Sequence, residues 1–214
     1  GEGARAVVPS RQNQAAAGEL QLGANGDFGY ATTDAGGHFT LSHATSYIWF
    51  DPWSQEVDAR LVSVSLATVD RAIALCGTRT FDGGGFGAAT GGEYAVTLSF
   101  GAEGVALPAS GGDTRVFAAA VVYPVDCSAT EVHVTYTFAD GSVYTETRPG
   151  RKLEAGATYR LTSEITKRAG GALEIEAGEA DGEPVCLKYG GSEVRSLTAE
   201  GWIPQVRTAA TARW

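Results

Sequence analysis

The side chains that could do chemistry in this chain are few and scattered. Its histidines are His38, His43 and His133, and none has the spacing with which a helix or loop clasps zinc. His38 and His43 are five residues apart, which suits neither one helix face nor one strand face. His133 sits with Thr135 and Thr137 on the polar side of an alternating stretch and reads as a surface residue. The cysteines, Cys76, Cys127 and Cys186, are odd in number and far apart, with no Cys-x-x-Cys. They read as buried thiols, with one disulfide and one free thiol as the alternative. No Gly-x-Ser-x-Gly elbow is present, and no base accompanies Asp126-Cys127.

Acidic residues recur at Glu174/Glu176, Glu179/Asp181 and Glu183. Glycoside hydrolysis would need two such carboxylates at a defined separation; the bland reading is a solvated acidic edge. Gly83-Gly-Gly-Phe-Gly87 lacks the Lys-Ser/Thr of a phosphate loop and opens no helix. Asn25-Gly-Asp27 and Asp34 offer oxygen ligands, but not in the order of an EF-hand. The expectation is therefore no catalytic residue, no metal and no cofactor. The more suggestive stretch is Tyr47-Ile-Trp-Phe-Asp-Pro-Trp53. In a strand, Tyr47 and Trp49 share one side and Ile48 and Phe50 the other, so one pair is core. If the first pair faces solvent, Tyr47, Trp49 and Trp53 form a platform for stacking on sugar rings.

Elements able to position these residues are short strands. His38–Leu41, Ala44–Phe50, Ala59–Leu66, Tyr94–Phe100, Val132–Phe138 and Thr158–Ile165 show period-two alternation or dense β-formers. Val62, Val64 and Leu66 are expected on one face, and Tyr159, Leu161 and Ile165 inward. Arg115–Tyr123 is apolar on both faces, as a central covered strand would be. Asp140-Gly141 closes a hairpin. Glycine pairs punctuate the runs, and no segment holds a 3.6-residue period over three turns. The reading is an all-β sandwich of antiparallel strands with Gly-rich loops. Residues 1–36 read as a flexible arm with a short strand at Leu20–Leu22, residues 37–168 as the sandwich, and residues 169–214 as a β extension or partial second unit.

The net charge is −9 over 214 residues, which disfavours a nucleic-acid partner. No apolar run is long enough to be a membrane helix. The chain has no Met and starts Gly-Glu-Gly, so the start reads as processed or trimmed.

Four segments in this order, Phe39–Phe50, Val57–Val69, Val105–Val122 and Val132–Ile165, resemble the fimbrillin-like proteins of Bacteroidales, the pilin and pilus-tip lipoproteins of the type V system. Leu107-Pro108 before an apolar strand, and Leu-x-Ala-Gly-x-x-Tyr-x-Leu from Leu153 to Leu161, are the better signals. The resemblance spans about residues 38–167. It implies a transthyretin-like β-sandwich, export as a lipoprotein to the outer-membrane surface or a fimbrium, and partners that are other pilus subunits or surface glycans and proteins. It also implies assembly by strand exchange: an Arg-specific protease removes an N-terminal strand, and a terminal strand of another subunit fills the groove. Arg5 and Arg11 are the candidate processing positions. Trp202, Ile203 and Val206 are candidate donor-strand residues, limited by Pro204, which lacks a ladder donor.

Overall fold

The computed structural model describes residues 3–55, 59–83, 85–111, 117–166, 169–170, 173–176, 185–189 and 192–197. Every regular element among them is a strand. In the first half of the chain these are β1 (Ala4–Val8), β2 (Arg11–Asn13), β3 (Gly29–Thr33), β4 (Phe39–His43), β5 (Ser46–Trp53), β6 (Arg60–Thr68), β7 (Cys76–Phe81), β8 (Thr90–Glu93), β9 (Ala95–Ser99) and β10 (Val105–Ala106). Then come β11 (Ala118–Val122), β12 (Glu131–Phe138), β13 (Ser142–Pro149) and β14 (Thr158–Glu164).

The chain divides into two units, one of residues 1–139 with 144–166, the other of residues 140–143 with 167–214. In the first, β13, β12, β6, β9 and β2 lie side by side, with β10 against the start of β6. A second sheet runs β11-β5-β14, a third β1-β7-β8, and β3 and β4 form a hairpin that, among the described residues, pairs only with itself. Most pairs are antiparallel; β5 with β14 and β2 with β9 are parallel. In the second unit, β15 (Ala169–Gly170) pairs with Ser142–Val143, and β16 (Leu173–Glu176), β17 (Val185–Tyr189) and β18 (Ser192–Leu197) form an antiparallel sheet.

Alternation explains the core. Val96 and Leu98 on β9, and Val134, Tyr136 and Phe138 on β12, point inward against Ile48 and Phe50 on β5 and Ala118, Ala120 and Val122 on β11. Two sheets each present one apolar face, which is the sandwich expected from the sequence. On β14, Tyr159 and Leu161 are half-buried, and Ile165 just past its end is buried, in line with the expectation; Ser163 on the same side is buried as well. Gly141 sits at φ 78°, the left-handed conformation the hairpin turn requires.

Three expectations are corrected. Val62 does not share the core face with Val64 and Leu66. The β6–β12 register slips there, pairing Thr137 with Ser63 but Phe138 with Leu61, so a bulge turns Leu61 inward in place of Val62. The apolar stretch before Tyr123 is buried on both faces, as expected, but it is not central: among the described residues β11 ends its sheet. And the N-terminal arm is not a free tail. Residues 4–8 pair with β7 and residues 11–13 with β9, Val8 is fully buried, and Leu20–Leu22 lies outside any strand, in a turn-rich stretch.

Candidate functional site

The arm supplies the most unusual chemistry in the molecule. Along β2, Thr97 donates to the Ser10 carbonyl and Gln14 donates to the Ser99 carbonyl. The backbone groups of Gln12 and Gln14 therefore serve β9, and their side chains, which are buried, are left for β11. Gln12 Oε1 accepts the Val121 N–H at 2.9 Å while its Nε2 donates to the Val121 carbonyl at 2.7 Å. Gln14 Oε1 accepts the Ala119 N–H at 3.2 Å, and its Nε2 donates to the Phe117 carbonyl at 2.8 Å. The remaining amide protons go to Pro9 and Ala16 carbonyls. A carboxamide has the donor and acceptor of a peptide group, so these side chains act as the missing neighbour of β11. Asn25 repeats the device on β2 itself: its Oδ1 accepts the Asn13 N–H at 3.0 Å and its Nδ2 donates to the Asn13 carbonyl at 2.9 Å. Buried backbone groups demand partners; Gln12 and Gln14 provide them across the seam between the two sheets, and Asn25 provides them for β2.

Arg5 and Arg11 are both exposed. Arg5 lies within β1, opposite Thr80; Arg11 follows the Pro9-Ser10 turn at the start of β2. Beneath β1, Ala6 and Val8 are buried, and the Tyr123 hydroxyl lies 3.1 Å from the Ala6 carbonyl and 3.0 Å from that of Gly77. Residues Trp202, Ile203 and Val206 lie outside the described residues.

The opposite seam is closed by a polar chain. The buried Tyr136 and Ser163 hydroxyls are 2.8 Å apart, Ser163 donates to Glu146 at 2.6 Å, and Arg148 bridges Glu146 at 2.9 Å and the Thr162 carbonyl at 3.1 Å. Burial pushes the Tyr136 hydroxyl well above its ordinary value. A phenol, a serine and a carboxylate without an imidazole lack the base of a nucleophilic triad; here they stitch β12 and β13 to β14.

The aromatic stretch is only partly available. Tyr47, Trp49, Asp51 and Trp53 share the outer face of β5, but the arm crosses it: Gly18 donates to the Phe117 carbonyl and Leu22 packs on the core. Tyr47 is therefore buried, and its hydroxyl donates to Asp27 at 2.7 Å, which removes it from any stacking platform. Trp49 and Trp53 are half-buried. Between them Asp51 pairs with Arg160. A Cβ at Gly111 would fall 2.5 Å from Trp53 Nε1, so the loop lies directly on that indole.

Asp27 gathers the candidate calcium oxygen and one histidine into a different arrangement. It accepts from Tyr47 and from Thr45, each at 2.7 Å, and His43 Nδ1 lies 3.1 Å away. Burial works against its ionisation, but those hydrogen bonds outweigh burial and hold its carboxyl below the usual value. Burial, aided by Asp27, pushes Tyr47 up to about 12. Asn25 is committed to Asn13, so the Asn25–Asp27 stretch does not converge on an ion, and no cluster of metal-ligating side chains occurs among the described residues. Cys76 and Cys127 are free and buried. Burial raises their thiols to about 12 and about 11, far from the thiolate a nucleophile needs. Glu174 and Glu176 fall within β16; Glu179, Asp181 and Glu183 lie outside the described residues.

No family model matches the chain, and no curated protein matches it. The chain is similar to solved structures that include the following two. One is a proposed cell adhesion protein from Bacteroides ovatus ATCC 8483, 17% identical, with a TM-score of 0.42 over 70% of this chain and 59% of that one. The other is a proposed cell adhesion protein from Bacteroides fragilis NCTC 9343, 15% identical, with a TM-score of 0.41 over 76% of this chain and 56% of that one. The chain thus spans less than two-thirds of the length of either.

Proposed function

We propose that this protein is a non-enzymatic cell-surface adhesion or fimbrial subunit that assembles by accepting a strand where its own N-terminal segment now lies. The observation carrying this reading is the way residues 4–14 are held. They occupy two sheet edges, bury Ala6 and Val8, and are fixed to β11 by side-chain amides instead of a backbone ladder. Cleavage after Arg11 would release β1, bare the β7 edge and empty the sites of two small apolar side chains. That is the physical requirement for β-augmentation: unpaired backbone groups beside an apolar groove.

A C-terminal donor is the second half of the reading. In a regular strand Trp202 and Val206 share one face and Ile203 takes the other, so Ile203→Asp with Val206→Asp loads both faces with charge and blocks either register. Strand-exchanged polymers resist detergent. Unboiled envelope extracts blotted for this protein are expected to show a ladder that collapses to one band in the double variant. A single band in the wild type, or an unchanged ladder in the variant, would overturn the assembly mode.

A further inference from the structure

We infer that the place β1 now fills selects its strand by charge: the strand that completes it carries a carboxylate where β1 carries Ala6. The inference rests on the reading that a partner strand replaces β1, and it adds what that strand must contain. It starts from Arg79 on β7. The guanidinium carbon of Arg79 stands 4.6 Å from the centroid of the Tyr123 ring, and Tyr123 is fully buried. The Nη2 of Arg79 donates to the Ala74 carbonyl at 3.0 Å. Its Nε is buried with no acceptor, alone in this among the side-chain nitrogens and oxygens of the described residues. None of the ion pairs among the described residues includes Arg79. Burial holds its pKa below the ordinary value, with no carboxylate to offset it, so the arm covers a cation that it does not neutralise.

Ala6 is the residue directly opposite Arg79. Cross-strand partners leave a sheet on the same face, their Cβ atoms about 5 Å apart, and Ala6 is buried there. A methyl group offers the Arg79 Nε nothing. A carboxylate at the same place would bring both the missing acceptor and the counter-charge, in a charge-assisted hydrogen bond. Among the described residues the other groups beneath β1 make no such demand. The Tyr123 hydroxyl has one proton and two carbonyls within reach, that of Ala6 at 3.1 Å and that of Gly77 at 3.0 Å, so it keeps a partner when β1 leaves. Val8, fully buried opposite Gly77, marks a place for a small aliphatic group.

The pattern this edge reads is therefore Asp or Glu at the Ala6 position and a β-branched aliphatic residue two positions on. With Ala6-x-Val8, β1 meets only the second half. The fold has already desolvated the Arg79 guanidinium, so an incoming carboxylate sets only its own loss of water against the attraction of the pair. β1 thus holds the edge as the weaker occupant, and an extended segment with the full pattern displaces it.

The test is made in the intact chain, where Ala6→Asp turns the arm itself into such a strand. Urea denaturation reads global stability, and hydrogen exchange of residues 4–8 reads the opening of β1 alone. Ala6→Asp should raise the urea midpoint and slow that exchange by about tenfold, the worth of one hydrogen bond to a charged group. In an Arg79→Met background the same substitution should do the opposite, because the carboxylate is then buried unpaired. Ala6→Ser, one atom larger than the wild type, should show the same reversal in smaller measure, and it decides the matter if Ala6→Asp does not fold. Ala6→Val adds bulk without an acceptor and should act alike in both backgrounds. Effects of Asp and Ser that are indifferent to Arg79 would overturn the inference. None of these readouts needs cleavage or assembly. The blot of envelope extracts then tests the reading beneath: an arm that holds its own site should weaken the ladder in Ala6→Asp. An undiminished ladder beside an intact coupling to Arg79 would overturn replacement at β1 and leave the pairing standing.

Discussion

Gln12 and Val121 are joined at two points, amide oxygen to N–H at 2.9 Å and amide nitrogen to carbonyl at 2.7 Å, across a gap that a strand would otherwise fill. Gln12→Ala removes both partners and leaves a buried donor and acceptor bare, at a cost of about 1–3 kcal/mol for each orphaned group. Gln12→Glu should cost at least as much, because a carboxylate can accept from the Val121 N–H but faces the Val121 carbonyl with no donor. Urea denaturation of both variants measures this. Stability equal to wild type in both would show that the seam is not held by these amides.

Limited digestion with an Arg-specific protease should cut first after Arg11. Both arginines are exposed, but Arg5 lies in the interior of β1, whereas Arg11 is the first residue of β2, opposite Thr97 and next to the Pro9-Ser10 bend, and cleavage needs the local freedom of the backbone that the end of a strand retains. Mass spectrometry should find a chain beginning at Gln12, and Arg11→Ala should suppress it. An early cut after Arg5 alone would mean that β1 opens before the turn.

Asp27 and Tyr47 give opposite pH limbs. The Asp27 carboxyl is held below its ordinary value, so its contribution is complete above the unfolded pKa of about 3.9 and is lost as pH falls through the folded value. Tyr47 is raised to about 12, so its contribution is complete below the unfolded value of about 10 and is lost as pH rises toward 12. Asp27→Asn should flatten the acid limb and lower the Tyr47 ionisation seen by ultraviolet titration. An unchanged acid limb would assign acid sensitivity elsewhere.

Trp49 and Trp53 remain the only members of the aromatic stretch with open surface on the outer face. Acrylamide should quench tryptophan emission in part, and a panel of oligosaccharides at millimolar concentration should leave it unchanged. Saturable protection by one glycan, lost in Trp49→Ala, would instead establish a stacking site there.

The strands were legible where side chains alternate and the pattern is apolar. Val96-x-Leu98-x-Phe100 and Val134-x-Tyr136-x-Phe138 declare both their strand and their buried face. The N-terminal strands were not legible, because β2 is anchored by amides, and glutamine within Ala- and Gly-rich sequence reads as loop. Gln12-x-Gln14 carries the same period of two, in carboxamides instead of hydrocarbons, and that was the available signal. Periodicity placed Tyr47 and Trp49 on one face correctly, but it says nothing of what covers a face. The cover comes from the segment through Gly18 and Leu22, which has no periodicity of its own. The Leu61–Val62 bulge escaped for a related reason: a one-residue slip is a property of the pair of strands, and neither strand shows it alone.

The edge of β11 behaves as a lock with a sequence-dependent key. An ordinary sheet edge admits any extended peptide, because every residue brings the same backbone groups. Here the strand that sits beside β9 must also carry carboxamides at alternate positions, long enough to span to Phe117, Ala119 and Val121. An asparagine would be one methylene short, and a hydrocarbon would offer nothing. Residues 12–14 keep that key when the chain is cut after Arg11, so the seam stays closed and a partner strand would meet only the β7 edge left by β1.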